Sequence, residues 1–345
     1  MARARMFATF LGALLALGPA ACAWAQSNFY AGKTVTIIVG SSPGGYYDIA
    51  GRVVARHLGR FIEGHPAVVV QNDPVAGGLG LGNRLARTVA RDGTVIAAFN
   101  RALPQLALAG EKNAQFDPLD ITWLGSLSSY KDDAYLMVLS DIQPVKTFDD
   151  VNRQPRPVHL GGTRAGATNI VFALMARDML KLNVDLVRGF PGASEIWLAM
   201  ERGELDGQVA DISAILVGRP NLWKENRLRP IVAFGRTERL PDRPEIPIAR
   251  DFVKDRDELA LLEFAELPFF MALPFAAPPG LPPERAAILR DGFMKMAFDP
   301  EFRADMMKAG ILTSPIDGDA VRALVVRAAA TPDAIRQRFL KLLND

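Results

Sequence analysis

Cysteine is almost absent from this chain. The single one, Cys22, lies in an N-terminal stretch where Arg3 and Arg5 precede the apolar run Phe7–Leu17 and Ala23-Trp24-Ala25 forms a small-x-small site before Gln26. Those are the charged, apolar and cleavage regions of a secretory signal peptide, too short and wrongly flanked for a retained membrane span. Cleavage after Ala25 leaves no thiol, which excludes disulfides, thiolate nucleophiles and cysteine-ligated metals from the mature protein. Lipidation of Cys22 is disfavoured, because Pro19 stands where a lipobox carries a branched aliphatic. Histidine is also scarce: His57, His65 and His159 have no short metal-ligand spacing, so no metal site is expected. Net charge is missing too. Without Arg3 and Arg5 the 40 Lys+Arg become 38, against 38 Asp+Glu, which speaks against nucleic acid or an anionic membrane as partner. After the leader there is no apolar run long enough to span a bilayer and no low-complexity tract. The expected location is the periplasm.

What the chain does have is a repeated unit. Val35–Val39 runs into Gly40-Ser41-Ser42-Pro43-Gly44-Gly45 and a helical pattern, and Val158–Leu160 runs into Gly161-Gly162-Thr163-Arg164-Ala165-Gly166 and another. The order of elements continues in parallel. Val68–Val70, a turn, a helical stretch Leu85–Ala90, Asp92-Gly93 and Thr94–Phe99 correspond to Val184–Val187, a turn, Glu195–Glu201, Asp206-Gly207 and Gln208–Ile212. Strands alternating with helices predict an α/β fold of two lobes, each a mostly parallel sheet flanked by helices, with a ligand cleft between them. The Pro-rich Leu240–Pro247 reads as a surface excursion and Leu267–Phe275 as the return crossing. Helices are expected at Ala286–Phe298, Pro300–Lys308, Gly318–Ala329 and Pro332–Leu343. The division is then 1–25 signal peptide, 26–133 plus 271–345 first lobe, and 134–270 second lobe.

Glycine loops at helix starts favour anions, since backbone N–H groups and the positive dipole end point there. Three sharper readings compete with this. Gly40-Ser41-Ser42-Pro43-Gly44 fits a nucleophile elbow with Ser42 as nucleophile, but the next residue, Pro43, has no N–H for an oxyanion hole. Gly77-Gly78-Leu79-Gly80-Leu81-Gly82 fails the dinucleotide spacing, and no Walker A sequence follows any strand, so no cofactor is expected. Arg101 and Asp211 each follow a strand, at the carboxyl edge where α/β proteins bind ligands, and are candidates for a ligand's anion and for its hydroxyl or ammonium. Asp48 reads instead as a helix-start residue or the partner of Arg52 at i+4.

The motifs Pro43-Gly44-Gly45-x-x-Asp48-x-x-Gly51-Arg52, Val69-Val70-Gln71-Asn72-Asp73-Pro74-x-Ala76-Gly77-Gly78, Gly189-Phe190-Pro191-Gly192-Ala193 and Ala277-Pro278-Pro279-Gly280-Leu281-Pro282 resemble the extracytoplasmic solute receptors of tripartite tricarboxylate transporters, the Bug or TctC-like family, over nearly the whole mature chain. The resemblance implies a type II periplasmic binding protein. It would be a monomer and not an enzyme, capturing a small organic anion (a carboxylate, aromatic or dicarboxylate included) and delivering it to a two-subunit membrane permease. It also implies ligand contacts at Ser41, Ser42, Gly44 and Gly45 on the first loop and at Gly162, Thr163, Arg164, Gly166, Ala167 and Thr168 on the second. This chain departs from the family pattern: Gly162 and Ala167 replace serines, Arg164 a glycine, and Ile170 a histidine, while Tyr46 and Tyr47 give the cleft an aromatic wall. Arg164 is expected to grip a carboxylate or sulfonate bidentately. The rival readings are an exported serine hydrolase using Ser42 and a ligand-sensing partner of a membrane signalling protein.

Overall fold

The computed structural model describes residues 29–344, apart from Ser42, Gly45, Asp132, 164–166 and Pro191. The expected signal peptide and Cys22 lie outside the described residues. Among the described residues eleven strands make two sheets: β1 (Thr34–Val39), β2 (Ala67–Asn72), β3 (Val95–Ala98), β4 (Thr122–Ser126), β5 (Tyr135–Ser140), β6 (Val158–Gly161), β7 (Val184–Val187), β8 (Gly207–Asp211), β9 (Leu228–Phe234), β10 (Pro274–Ala277) and β11 (Ile316–Asp317). Their orders are β11-β4-β10-β3-β1-β2 and β7-β6-β8-β5-β9. The sequence repeat is therefore a structural one. In the first sheet β1 pairs in parallel with β2 and β3, and in the second β6 pairs in parallel with β7 and β8. The helices Tyr46–Leu58 and Leu79–Arg87 link the first trio, and Thr168–Asp178 and Ala193–Glu201 the second.

Both sheets are mixed, which the sequence expectation of mostly parallel sheets left out. The strand next to each trio, β10 or β5, runs antiparallel to both its neighbours. The reason is connectivity: β5 is the first strand after the chain crosses to the second sheet, and β10 the first after it returns. The two crossings lie side by side, with the Ala272 N–H donating to the Ser128 carbonyl (2.8 Å) and the Leu127 N–H to that of Leu273 (3.0 Å). One apolar core then runs through both sheets, from Ile38, Phe99 and Trp123 to Leu160, Phe172 and Phe234.

Local chemistry places the C-terminal helices where proline and aspartate punctuate the sequence. Pro283–Phe298 begins on a proline, which needs no N–H there, and Asp299 caps Pro300–Lys308 by accepting from the Phe302 N–H (2.9 Å). Asp317 caps Gly318–Ala329 in the same way, through the Ala320 N–H. The last helix, Asp333–Asn344, packs against Leu103–Ala109, Thr168–Asp178 and Arg256–Glu266, so it ties the two halves together. Leu240–Pro247 is irregular as expected, yet Leu240 and Ile246 are buried, so this segment lies against the core as well as the solvent.

Candidate functional site

The first glycine loop is held by one carboxylate. Gly44 has φ +80°, a conformation that suits glycine, and its N–H donates to Asp48 Oδ2 (2.7 Å). The same carboxylate accepts from Arg52 Nε (2.9 Å) and Asn72 Nδ2 (2.8 Å), and Asn72 also donates to the Ser41 carbonyl (3.0 Å). Burial alone would raise the Asp48 pKa, but these donors outweigh it and hold the group below the usual carboxylate range. Asp48 is thus scaffolding for the loop rather than a ligand contact. Ser41 Oγ is buried with no hydrogen-bond partner among the described residues. Ser42 and Gly45 lie outside them.

Beyond this loop a cleft of about 470 Å³ opens between the sheets. Four of the chain's five tyrosines line it. Tyr46 and Tyr47 come from the start of the helix Tyr46–Leu58, and Tyr130 and Tyr135 from the first crossing and the start of β5. In their midst is Arg101, just after β3. Its Nη1 donates to Tyr130 Oη (3.1 Å), its Nη2 to Tyr135 Oη (2.9 Å), and its backbone N–H to Tyr47 Oη (3.2 Å). The guanidinium lies over the Phe269 ring, 4.6 Å from its centre, an attractive cation–π geometry. Among the described residues no carboxylate lies within 4 Å of it. Burial pushes the phenols of Tyr47, Tyr130 and Tyr135 up, despite the opposing pull of Arg101, so they stay protonated donors at neutral pH.

The second sheet contributes Asp211, Ser213 and Ala214 to the cleft wall. Asp211 caps the short helix Ile212–Gly218 by accepting from the Ala214 N–H (2.7 Å). Behind it sits Asp133, buried, with Oδ1 accepting from the N–H groups of Ala134 (2.8 Å) and Ile212 (3.0 Å) and Oδ2 from the Ser213 hydroxyl (2.6 Å). Burial, and then the charge of Asp211, push Asp133 up to about 7. Glu266, buried where its Oε1 accepts from the Gly235 N–H (2.8 Å), is also raised to about 7 by burial, although Arg250 opposes this. Groups raised in the folded state bind protons more tightly there than in the unfolded chain. Stability should accordingly fall as pH rises from about 4 to about 7, while the depressed Asp48 and Asp206 lose their contribution only below about 4. We expect a higher melting temperature near pH 5 than near pH 8, with a smaller difference in Asp133→Asn. A flat profile between these values would contradict the burial argument.

On the second glycine loop Gly162, Thr163, Ala167 and Thr168 are among the described residues. Thr163 Oγ1 bonds Asn169 Oδ1 (3.1 Å), Ala167 precedes the helix Thr168–Asp178 without a side-chain cap, and Thr168 lines a small cavity of about 70 Å³ that Arg101 also borders. Arg164 and Gly166 lie outside the described residues. A Cβ on Gly162 would run into Ile170 Cδ1. Two departures from the family pattern, Gly162 and Ile170, therefore compensate sterically: the buried isoleucine fills the space a serine would need. Gly162→Ser is expected to destabilise by about 1–3 kcal/mol through overpacking. Ile170→Ala added to it should recover part of that, measured as non-additivity in urea unfolding.

His57, Asp299 and Glu301 come close enough to suggest a metal site, but a guanidinium already joins them. Arg60 donates to His57 Nδ1 (2.8 Å) and Glu301 Oε2 (2.6 Å) and approaches Asp299 Oδ1 (3.4 Å). Since Arg60 can only donate, His57 carries its proton on Nε2 and gives it to Asp305 Oδ2 (3.0 Å). The imidazole is a structural strut between the helices Tyr46–Leu58 and Pro300–Lys308.

No family model matches the chain. A relative from Cupriavidus necator, described as a UPF0065 protein in the gbd 5′ region, is 26% identical over 303 residues, spanning 86% of this chain and 84% of its own length. Among solved structures, the chain is similar to a TctC solute-binding protein from Polaromonas (TM-score 0.68, 17% identity, 90% of this chain and 99% of that one). It is also similar to the periplasmic binding protein BugD (0.58, 16%, 91% and 98%) and to MatC from Rhodopseudomonas palustris with bound malate (0.56, 21%, 90% and 99%). The chain has the fold of the TctC and Bug periplasmic binding proteins. Within this TctC-type fold, sequence reasoning reached Arg101, Asp211 and Tyr46 on the cleft wall but missed Tyr47 as a partner of Arg101, and missed Tyr130, Tyr135 and Asp133 altogether. A signal for the last three was present: Tyr130-Lys131-Asp132-Asp133-Ala134-Tyr135 concentrates aromatic and acidic residues between two strands, where a crossing borders the cleft.

Proposed function

We propose that this protein is an exported solute receptor that captures a small organic anion between its two lobes and presents it to a two-subunit membrane permease. The observation that carries the reading is Arg101: a guanidinium on the cleft wall, without a carboxylate within 4 Å among the described residues and flanked by phenol donors. Charge-assisted bonds from such a group are the strong kind, and the tyrosines add donors. A malate-bound protein among the structural neighbours supports a carboxylate as ligand class. Ligand contacts with both lobes favour the closed state, which the permease would recognise; this is a population shift without bond making. Ser41, Gly44 and the second loop are proposed to complete the anion's surroundings.

A hydrolase reading has less support. His57 is engaged by Arg60 and Asp305, His65 Nδ1 faces the Gly59 carbonyl (3.4 Å), and His159 lies within β6. The proposed receptor role is tested by thermal shift with mono- and dicarboxylates, aromatic acids and sulfonates, because a ligand that binds only the native state raises the melting temperature with concentration. At least one small organic anion should do so. Shifts by neutral sugars alone would refute the anion assignment, and release of dye from chromogenic esters would favour the hydrolase.

A further inference from the structure

The cleft carries an acid as well as a base. We propose that its ligand is a monocarboxylate whose far end bears an ammonium, and not a dicarboxylate; this rests on the anion-receptor reading and names its substrate class. Asp211 stands directly opposite Tyr135 in the β5–β8 ladder, and directly opposed residues share one face of a sheet. Tyr135 is also the residue whose hydroxyl accepts from Arg101 Nη2. The guanidinium and the Asp211 carboxylate thus flank one tyrosine side chain on the wall of a single cavity. Asp211 Oδ1 is taken by the Ala214 N–H, but Oδ2 has no hydrogen-bond partner among the described residues, and no lysine or arginine there lies within 4 Å of the carboxylate.

The surroundings sharpen the preference. Asp133 stands behind Asp211 with its oxygens engaged by backbone N–H groups and the Ser213 hydroxyl, so Asp211 is the carboxylate that this wall turns to the cleft. A second ligand carboxylate placed here would meet like charge without a counter-ion, whereas an ammonium would pair with Asp211. The same cavity is lined by Tyr46, Tyr47, Ile49 and Ile311, which add apolar surface to it. A volume of about 470 Å³ falls within the roughly 300–1,000 Å³ of sites that take larger organic ligands, which leaves room for a body of six or more carbons.

Two matched triads test this by calorimetric titration of the mature protein: hexanoate, adipate and ε-aminohexanoate, and para-toluate, terephthalate and para-(aminomethyl)benzoate. Within at least one triad the ammonium-bearing acid should bind about ten-fold or more tighter than the methyl analogue, and the dicarboxylate weaker than both. Asp211→Asn should abolish that ranking while leaving the methyl analogue's affinity within about two-fold. Asp211→Ser serves as the second variant, since both replacements can still cap the helix. A dicarboxylate that binds tightest, or an ammonium preference unmoved in both variants, overturns the inference. If the simple acids bind and the ammonium gives no gain, the inference falls and the anion receptor stands. If other anions of the wider panel bind but no member of either triad does, the inference likewise falls. If no organic anion binds at all, both readings fall.

Discussion

Replacing Arg101 with alanine should reduce the affinity for the organic anion by about a hundred-fold to a few thousand-fold. Hydrogen bonds to a charged partner contribute about 1.5–3 kcal/mol each, and a two-point grip by the guanidinium would involve two. Two bonds from one group are not fully additive, so the loss is about 3–5 kcal/mol, at about 1.4 kcal/mol per ten-fold. Arg101→Lys should recover only part of it. An ammonium cannot reproduce the planar fork that also reaches Tyr130 and Tyr135. Titration with the acid that gives the largest thermal shift measures this. Affinity unchanged in Arg101→Ala would place the anion elsewhere in the cleft, and Arg164 on the second loop would become the next residue to replace.

The second large effect is on stability. Arg236 is buried, and its Nη1 lies 3.0, 2.8 and 2.9 Å from the carbonyl oxygens of Tyr130, Lys131 and Asp133. These residues form the first crossing, where Tyr130 adopts φ +53°, a left-handed conformation that a bulky residue rarely takes. Arg236 therefore supplies the positive group that draws these carbonyls together. Arg236→Met fills much of the same volume but leaves buried acceptors without their donor, at about 1–3 kcal/mol for each. Water can reach the part-buried Lys131 carbonyl and the neighbouring losses are not additive, so we expect a total of about 3–5 kcal/mol, seen as a lower urea midpoint with an unchanged slope and a melting temperature lower by roughly 6–15 °C. A change of under about 1 kcal/mol would mean that the crossing holds its shape without this residue.

The sequence was most readable where local chemistry decides. The four C-terminal helices begin at or near Pro283, Pro300, Gly318 and Asp333, where proline and capping aspartates mark the starts. The two glycine loops with their flanking strands and helices were readable for the same reason. The direction of β5 and β10 was not, because each is set by pairing with strands far away in sequence: Phe275 with Ala98, and Tyr135 with Asp211 and Phe234. The helix Arg256–Glu266 was not among the expected elements; its start signal, Asp255 accepting from two N–H groups, follows a long irregular segment rich in proline. For the site, a place just after a strand was enough to single out Arg101 and Asp211. Tyr130 and Tyr135 needed the three-dimensional register, since only the fold shows that an arginine 29 and 34 residues earlier lies between their hydroxyls.

The seating of Arg101 on Phe269 and beside Tyr130 has a kinetic consequence. Phe269 belongs to the second crossing and Tyr130 to the first, so the guanidinium sits between the two crossings, about which the proposed closure of the lobes would turn. Atoms near an axis travel little during rotation, while those at the rim, such as the partly exposed Tyr46 and Ile49, sweep furthest. In the proposed closure the anchor would be nearly complete before the lobes move, and the rim would arrive afterwards as a gate. Changes at the anchor should alter how often an encounter is productive, and changes at the rim chiefly how long the solute stays. Capture and retention would thus reside in different side chains of one cleft.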